Sequence, residues 1–234
     1  MSIMFPRVLP AVWVGLLAAS FAASFSAAQE YRVDVIDGGP PADRVAEEIR
    51  AELAKTGLKV VRGSSRTVCE FWPCASWPVI DGFQATTERL YPFEPGQLIG
   101  VLRLRRRGND FRDQQISGGV YTLRYALQPI DGNHEGTSPT RDFLVLVNAE
   151  DDSVKKAWTV EALMKASAAA AQSSHPAMLC LQRVDDKRPA TPQAAMRHDE
   201  RHDWWILGWV GQAESKGTQR PLPIDLVVVG HAEE

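Results

Sequence analysis

Between Leu98 and Val147 the chain reads as short apolar runs cut by turn formers, and this punctuation restricts the fold more than any other feature of the sequence. Residues 98–104 stop at Arg107-Gly108-Asn109-Asp110, and residues 111–116 stop at Gly118-Gly119. Residues 120–127 carry Val, Tyr, Thr and Leu, types that fit a pleated, half-buried surface. Residues 142–147 (Asp-Phe-Leu-Val-Leu-Val) form an apolar run bounded by turn formers, as a strand buried on both faces would. Further strands are expected at 31–37, 58–61, 67–72, 178–184, 204–211 and 223–229, the pair around Arg62-Gly63-Ser64-Ser65 forming a hairpin. A helix is expected over 41–56, where Val45, Ile49 and Leu53 recur every fourth residue, Pro41 opens and Gly57 stands in the C-cap place. A second is expected over 153–172, with Trp158, Ala162 and Leu163 on one side. Residues 73–95, rich in Pro and Gly, read as a long connection. About ten strands joined mostly by turns, with no repeated βαβ units, argue for a mainly β fold: an antiparallel β-sandwich or flattened barrel with two accessory helices.

The first residues belong to a different regime. Arg7 is followed by an uncharged run from Val8 to Ala23, and Ser26 and Ala28 fit the −3 and −1 positions of a signal-peptidase site. The run is shorter than the roughly 20 residues of a spanning helix, so residues 1–28 are expected to be a cleaved signal peptide. Residues 29–234 then form a single β-rich domain in the periplasm or outside the cell, with no transmembrane segment after cleavage.

The net charge of −3 lacks the basic excess of a nucleic-acid binder. The basic cluster Arg103, Arg105, Arg106 and Arg107 alternates in part with Leu102 and Leu104, the pattern of a solvated strand face running into a turn, with an anion site as the alternative reading. Three cysteines, Cys69, Cys74 and Cys180, leave at least one without an intrachain partner. Cys69 and Cys74 are the pair if any disulfide forms, which requires a turn between them, because five extended residues span about 16 Å. The alternative is three buried thiols.

Two segments concentrate polar chemistry. The loop from Asp131 to Asp142 places Asp131, Asn133, His134, Glu135, Arg141 and Asp142 between two apolar strands. Its carboxylates and imidazole suit a divalent ion, and Arg141 with nearby hydroxyls suits an anion or a sugar. As a brace, the same loop would cap its own amides and pair Arg141 with an acid. The other segment is His198-Asp199-Glu200-Arg201-His202-Asp203, where His198 and His202 would share a helical face suited to zinc. The order is not that of His-Glu-x-x-His, and a charged surface turn explains it as well. His134, His198 and His202 are thus the metal candidates. No motif identifies a cofactor.

The stretch Gly119-Val-Tyr-Thr-Leu-Arg-Tyr, continuing through Gln128-Pro-Ile-Asp-Gly-Asn-His-Glu-Gly-Thr-Ser-Pro-Thr-Arg-Asp-Phe-Leu144, resembles the signature of an uncharacterised family of exported bacterial proteins of planctomycete type. Asp203-Trp204-Trp205 and Val228-Val229-Gly230-His231-Ala232 fit the same pattern. The resemblance implies export, a bacterial source and a β-rich fold, with no established activity. Two function classes follow. One is a non-enzymatic envelope or periplasmic module binding a small ligand, a glycan or an envelope protein. The other is a metal-binding protein or metal-dependent enzyme built on His134 and neighbouring carboxylates. The first is preferred, because no motif demands chemistry.

Overall fold

The computed structural model describes residues 31–131, 138–185 and 193–232. The expected leader with its cut after Ala28, and Asn133, His134 and Glu135 of the expected site loop, lie outside the described residues. The elements are β1 (Tyr31–Asp37), α1 (Glu47–Glu52), β2 (Thr56–Arg62), β3 (Arg66–Pro73), β4 (Trp77–Pro78), β5 (Leu98–Leu104), β6 (Gly108–Asn109), β7 (Gln115–Ile116), β8 (Gly119–Leu127), β9 (Asp142–Asn148), α2 (Val160–Ala171), β10 (Met178–Gln182), β11 (Ala195–Asp199), β12 (Trp204–Ser215) and β13 (Thr218–Val229).

The fold is mainly β with two α-helices. Its principal sheet runs β1-β2-β3-β5-β8-β9-β10-β13-β12-β11 and curls into a half-barrel, with the short β4 added parallel to β12. The ladders along this path are antiparallel. β6 and β7 form a small second sheet. The path ends at β1 on one side and β11 on the other, and these two strands approach across a seam.

Side-chain alternation explains the burial. In β9, Leu144 and Leu146 point into the main core with Leu123, Tyr125, Leu207 and Trp209. Val145 and Val147 point the other way, against Leu163 of α2. Phe143 also points outward, and packs with Phe111, Cys180, Trp204, Ile206 and Val227. Both faces of β9 are therefore covered, which is why its sequence is an unbroken apolar run.

One end of the half-barrel is plugged. The 74–97 connection carries Trp77, Tyr91 and Phe93 inward, where Phe93 meets Trp77 and Tyr125 edge-on at 5.6 and 5.5 Å. The indole of Trp77 donates to the Ile99 carbonyl at 3.0 Å, beside the start of β5. Gly211 leaves the space this indole occupies, since a Cβ there would lie 2.0 Å from Trp77 Cζ3.

Several expected boundaries are corrected. The helix expected over 41–56 is only Glu47–Glu52. Leu53 turns extended and bridges to Cys74, and Gly57 lies inside β2, where a Cβ would strike the Trp72 indole at 2.6 Å. That glycine serves close approach of an aromatic ring, not a C-cap. The second helix starts at Val160, capped by the Thr159 hydroxyl. Residues before it serve a buried ion pair: Arg124 binds Asp152 at 2.7 and 2.9 Å and the Ser153 carbonyl at 3.0 Å, and the Trp158 indole donates to Asp152 at 3.1 Å. Of the strand expected over 111–116 only Gln115–Ile116 is extended pairing, because Phe111 leaves the ladder to cover the outer aromatic cluster. β11 has no counterpart among the expected strands; with exposed and half-buried positions throughout, it lacks an apolar run.

Candidate functional site

The unplugged end opens into a cavity of about 690 Å³. β5 sets the polarity: its first residues lie by Trp77 in the plug, and its last, Leu102 and Leu104, line the cavity. Leu102, Ile116, Leu146 and Leu179 make an apolar floor. Tyr31 and Trp205 stand at the seam with ring centroids 4.6 Å apart.

Two hairpin ends furnish the rim. In the β2–β3 ladder Arg62 and Arg66 are directly opposite each other, closing the turn through Gly63, which takes φ +60°. The Arg62 guanidinium carbon lies 5.7 Å from the centroid of the Tyr31 ring, a cation–π distance. Burial pushes the Tyr31 hydroxyl above its ordinary range, Arg62 and Arg66 pull it down, and Asp203 pushes it up. These charges thus converge on the phenol. Arg106 and Arg107 reach the rim from the end of β5. Arg103 of β5 and Arg105 just past its end are part-exposed, as a wet strand face running into a turn requires, and Arg106 and Arg107 lie beyond the strand end. Arg103 and Arg105 bind Glu70, whose side chain is nearly buried, at 3.4 and 2.7 Å, while the next two face the cavity.

The β11–β12 turn supplies the imidazoles. His198 is the cross-strand partner of Trp205 and stacks on it at 4.4 Å and 11°. Its Nε2 lies 2.8 Å from Asp203 Oδ1. His202 stacks on Trp204 at 4.4 Å and 21°, with Nδ1 3.1 Å from Asp199 Oδ2. Burial raises Asp199, but hydrogen bonds from His202 and the Arg201 amide outweigh it and leave the carboxyl below its ordinary range. Each imidazole thus has its own carboxylate and its own indole. Among the described residues no group of three or more His, Cys, Asp or Glu is arranged to hold a metal ion. The segment is a turn, and the helix that would align His198 with His202 is not formed.

The described part of the expected site loop is elsewhere. Asp142 is fully buried at the plugged end and accepts the Tyr125 hydroxyl at 2.6 Å and the Leu90 and Tyr91 amides at 2.9 and 3.1 Å. Arg141 donates to the Gln128 carbonyl at 2.8 Å and to Glu88 at 3.1 Å. These two residues fasten the plug segment, and neither lines the cavity. Asp131 is exposed and also lies off the cavity.

Cys69, which does line the cavity, is buried, and burial pushes its thiol up to about 12, so it offers no thiolate near neutral pH. All three cysteines are free and buried. Tyr31, Arg62, Arg66 and Trp205 escape a sequence reading because they come from three separate stretches of chain. Trp205 alone gave a signal, as part of an aromatic run at the start of a strand.

No protein family, curated protein or solved structure matches this chain.

Proposed function

We propose that the protein is an exported, non-enzymatic envelope or periplasmic binding module of the family its central segment resembles, and that it holds a small ligand in the open mouth of the half-barrel. The cavity carries this reading. At about 690 Å³ it falls within the ~300–1,000 Å³ typical of small-molecule sites, which are mostly apolar with a few placed polar groups and often occupy barrel mouths. The plug supports it, because a barrel filled at one end keeps its ligand space at the other.

The test is titration with the neutral apolar fluorophore N-phenyl-1-naphthylamine. Saturable one-to-one binding is expected, and Val68→Trp, which fills the cavity from β3, abolishes it while the circular dichroism of the fold is kept. No binding, or binding indifferent to Val68→Trp, overturns the reading. Export has a separate test: the intact mass of the exported chain begins at Gln29, and a mass retaining residues 1–28 refutes cleavage.

A further inference from the structure

Resting on the binding reading above, we infer that the ligand is a single-tailed amphipathic anion, its apolar body on the Leu102–Ile116–Leu179 floor and its carboxylate-type head between Arg62 and Arg66.

The rim is of opposite sign to the molecule. The whole chain carries −3, yet the cavity is bordered by Arg62, Arg66, Arg106 and Arg107 against two acids, Asp113 and Asp203. Both acids are already engaged, Asp113 by the Asn109 amide at 2.6 Å and Asp203 by His198 at 2.8 Å. A cleft lined by one sign of charge concentrates ions of the other sign.

The strongest pointer is the register of β2 and β3. Arg62 and Arg66 are direct cross-strand partners, and like charges placed opposite each other are destabilising. Elsewhere in this region the fold supplies carboxylates: Arg32 has Asp34 at 3.2 Å, and Arg103 and Arg105 have Glu70. Among the described residues Arg62 and Arg66 have no carboxylate within ion-pair distance. A guanidinium pair at the edge of an apolar cavity matches a planar carboxylate, which it can hold by charge-assisted hydrogen bonds. The stacked rings of His198 and Trp205, with Tyr31 beside them, provide a flat aromatic wall for the part of the ligand next to the head.

The experiment compares laurate, dodecanol and dodecyltrimethylammonium, which share a tail and differ in head charge, by calorimetry on residues 29–234. Laurate is expected to bind at least ten times more tightly than dodecanol, and the ammonium more weakly than either. Raising NaCl weakens laurate and leaves the laurate-to-dodecanol ratio smaller, as a partly exposed ion contact requires. In Arg62→Gln/Arg66→Gln the ratio falls towards one. The salt titration uses the native chain, so it decides the matter even if that variant folds poorly. Phosphatidylglycerol vesicles, which present an anionic head on two tails, are expected not to bind. Equal affinity for laurate and dodecanol, a ratio indifferent to salt, or preference for the vesicles overturns the inference. If the neutral naphthylamine probe binds while laurate shows no preference, the anion inference falls and the binding reading stands. If none of the ligands binds, both fall.

Discussion

Replacing Asp142 by Ala separates a structural brace from a binding site at the position where the two readings collide. The carboxylate is fully buried and accepts three hydrogen bonds, from the Tyr125 hydroxyl and from the amides of Leu90 and Tyr91. Burial, and then the Asp142 charge, pushes the Tyr125 hydroxyl well above its ordinary range, so the phenol remains the donor. Hydrogen bonds to a charged group contribute about 1.5–3 kcal/mol each. Removing the buried charge recovers part of its desolvation cost, while three donors are left without their acceptor, so the net loss is about 4 kcal/mol, within the range for breaking a buried charged contact. For a chain of this size that corresponds to a fall in melting temperature of about 8–16 °C. Tyr125→Phe removes one of the three bonds and costs about 1–2 kcal/mol, with a coupling to Asp142→Ala of at least about 0.5 kcal/mol in the double-mutant cycle. The assay is thermal melting by circular dichroism, with naphthylamine binding measured well below the transition. Folded Asp142→Ala keeps the native affinity, because the residue lies off the cavity. A melting temperature within about 2 °C of native, or lost binding with unchanged stability, would refute the reasoning and return function to the loop.

Two further outcomes follow from packing and burial. Burial pushes Cys69 and Cys74 up to about 12 and Cys180 up to about 11, against an ordinary value of 9.0. The folded chain keeps protons that the unfolded chain loses, so stability is unaffected below pH 9.0 and falls as pH rises from there through 11 to 12. Urea midpoints measured across this window should drop, and should drop less steeply in Cys69→Ala/Cys74→Ala/Cys180→Ala; equal slopes contradict the burial of the thiols. Gly211→Ala places a Cβ 2.0 Å from the buried Trp77 ring and should cost about 3 kcal/mol, recovered in part by Trp77→Leu. An unchanged melting temperature in Gly211→Ala would contradict the close packing of Trp77 on Gly211.

What could be read from the sequence follows physical range. The bounds of β5 are legible because its apolar residues and its turn formers are adjacent in the chain, and β9 is legible because both of its faces are covered. α1 is over-read because its fourfold apolar spacing is local, whereas the demand that ends it comes from afar: Leu53 must meet Cys74, and Gly57 must accept Trp72. β11 is missed because an edge strand with one half-buried histidine gives no apolar alternation. The same distinction governs the site. His198 and His202 are legible as a polar cluster together with Asp199 and Asp203, but the pairing within it is not: the stack on Trp205 depends on the β11–β12 register, and each imidazole takes a different carboxylate. The loop up to Asp142 is dense in polar groups, yet polar density has two causes. A buried acceptor such as Asp142 is polar because the fold needs its bonds, and all of them are directed inward to Tyr125 and the plug. A ligand site needs the reverse, charged groups whose directions are left over once the fold is satisfied. Among the described residues Arg62 and Arg66 have no carboxylate partner, and Arg62 lies over the Tyr31 ring. Four residues apart they look like an ordinary turn, and only the closing of β2 on β3 places two guanidinium groups opposite each other at the edge of an apolar cavity.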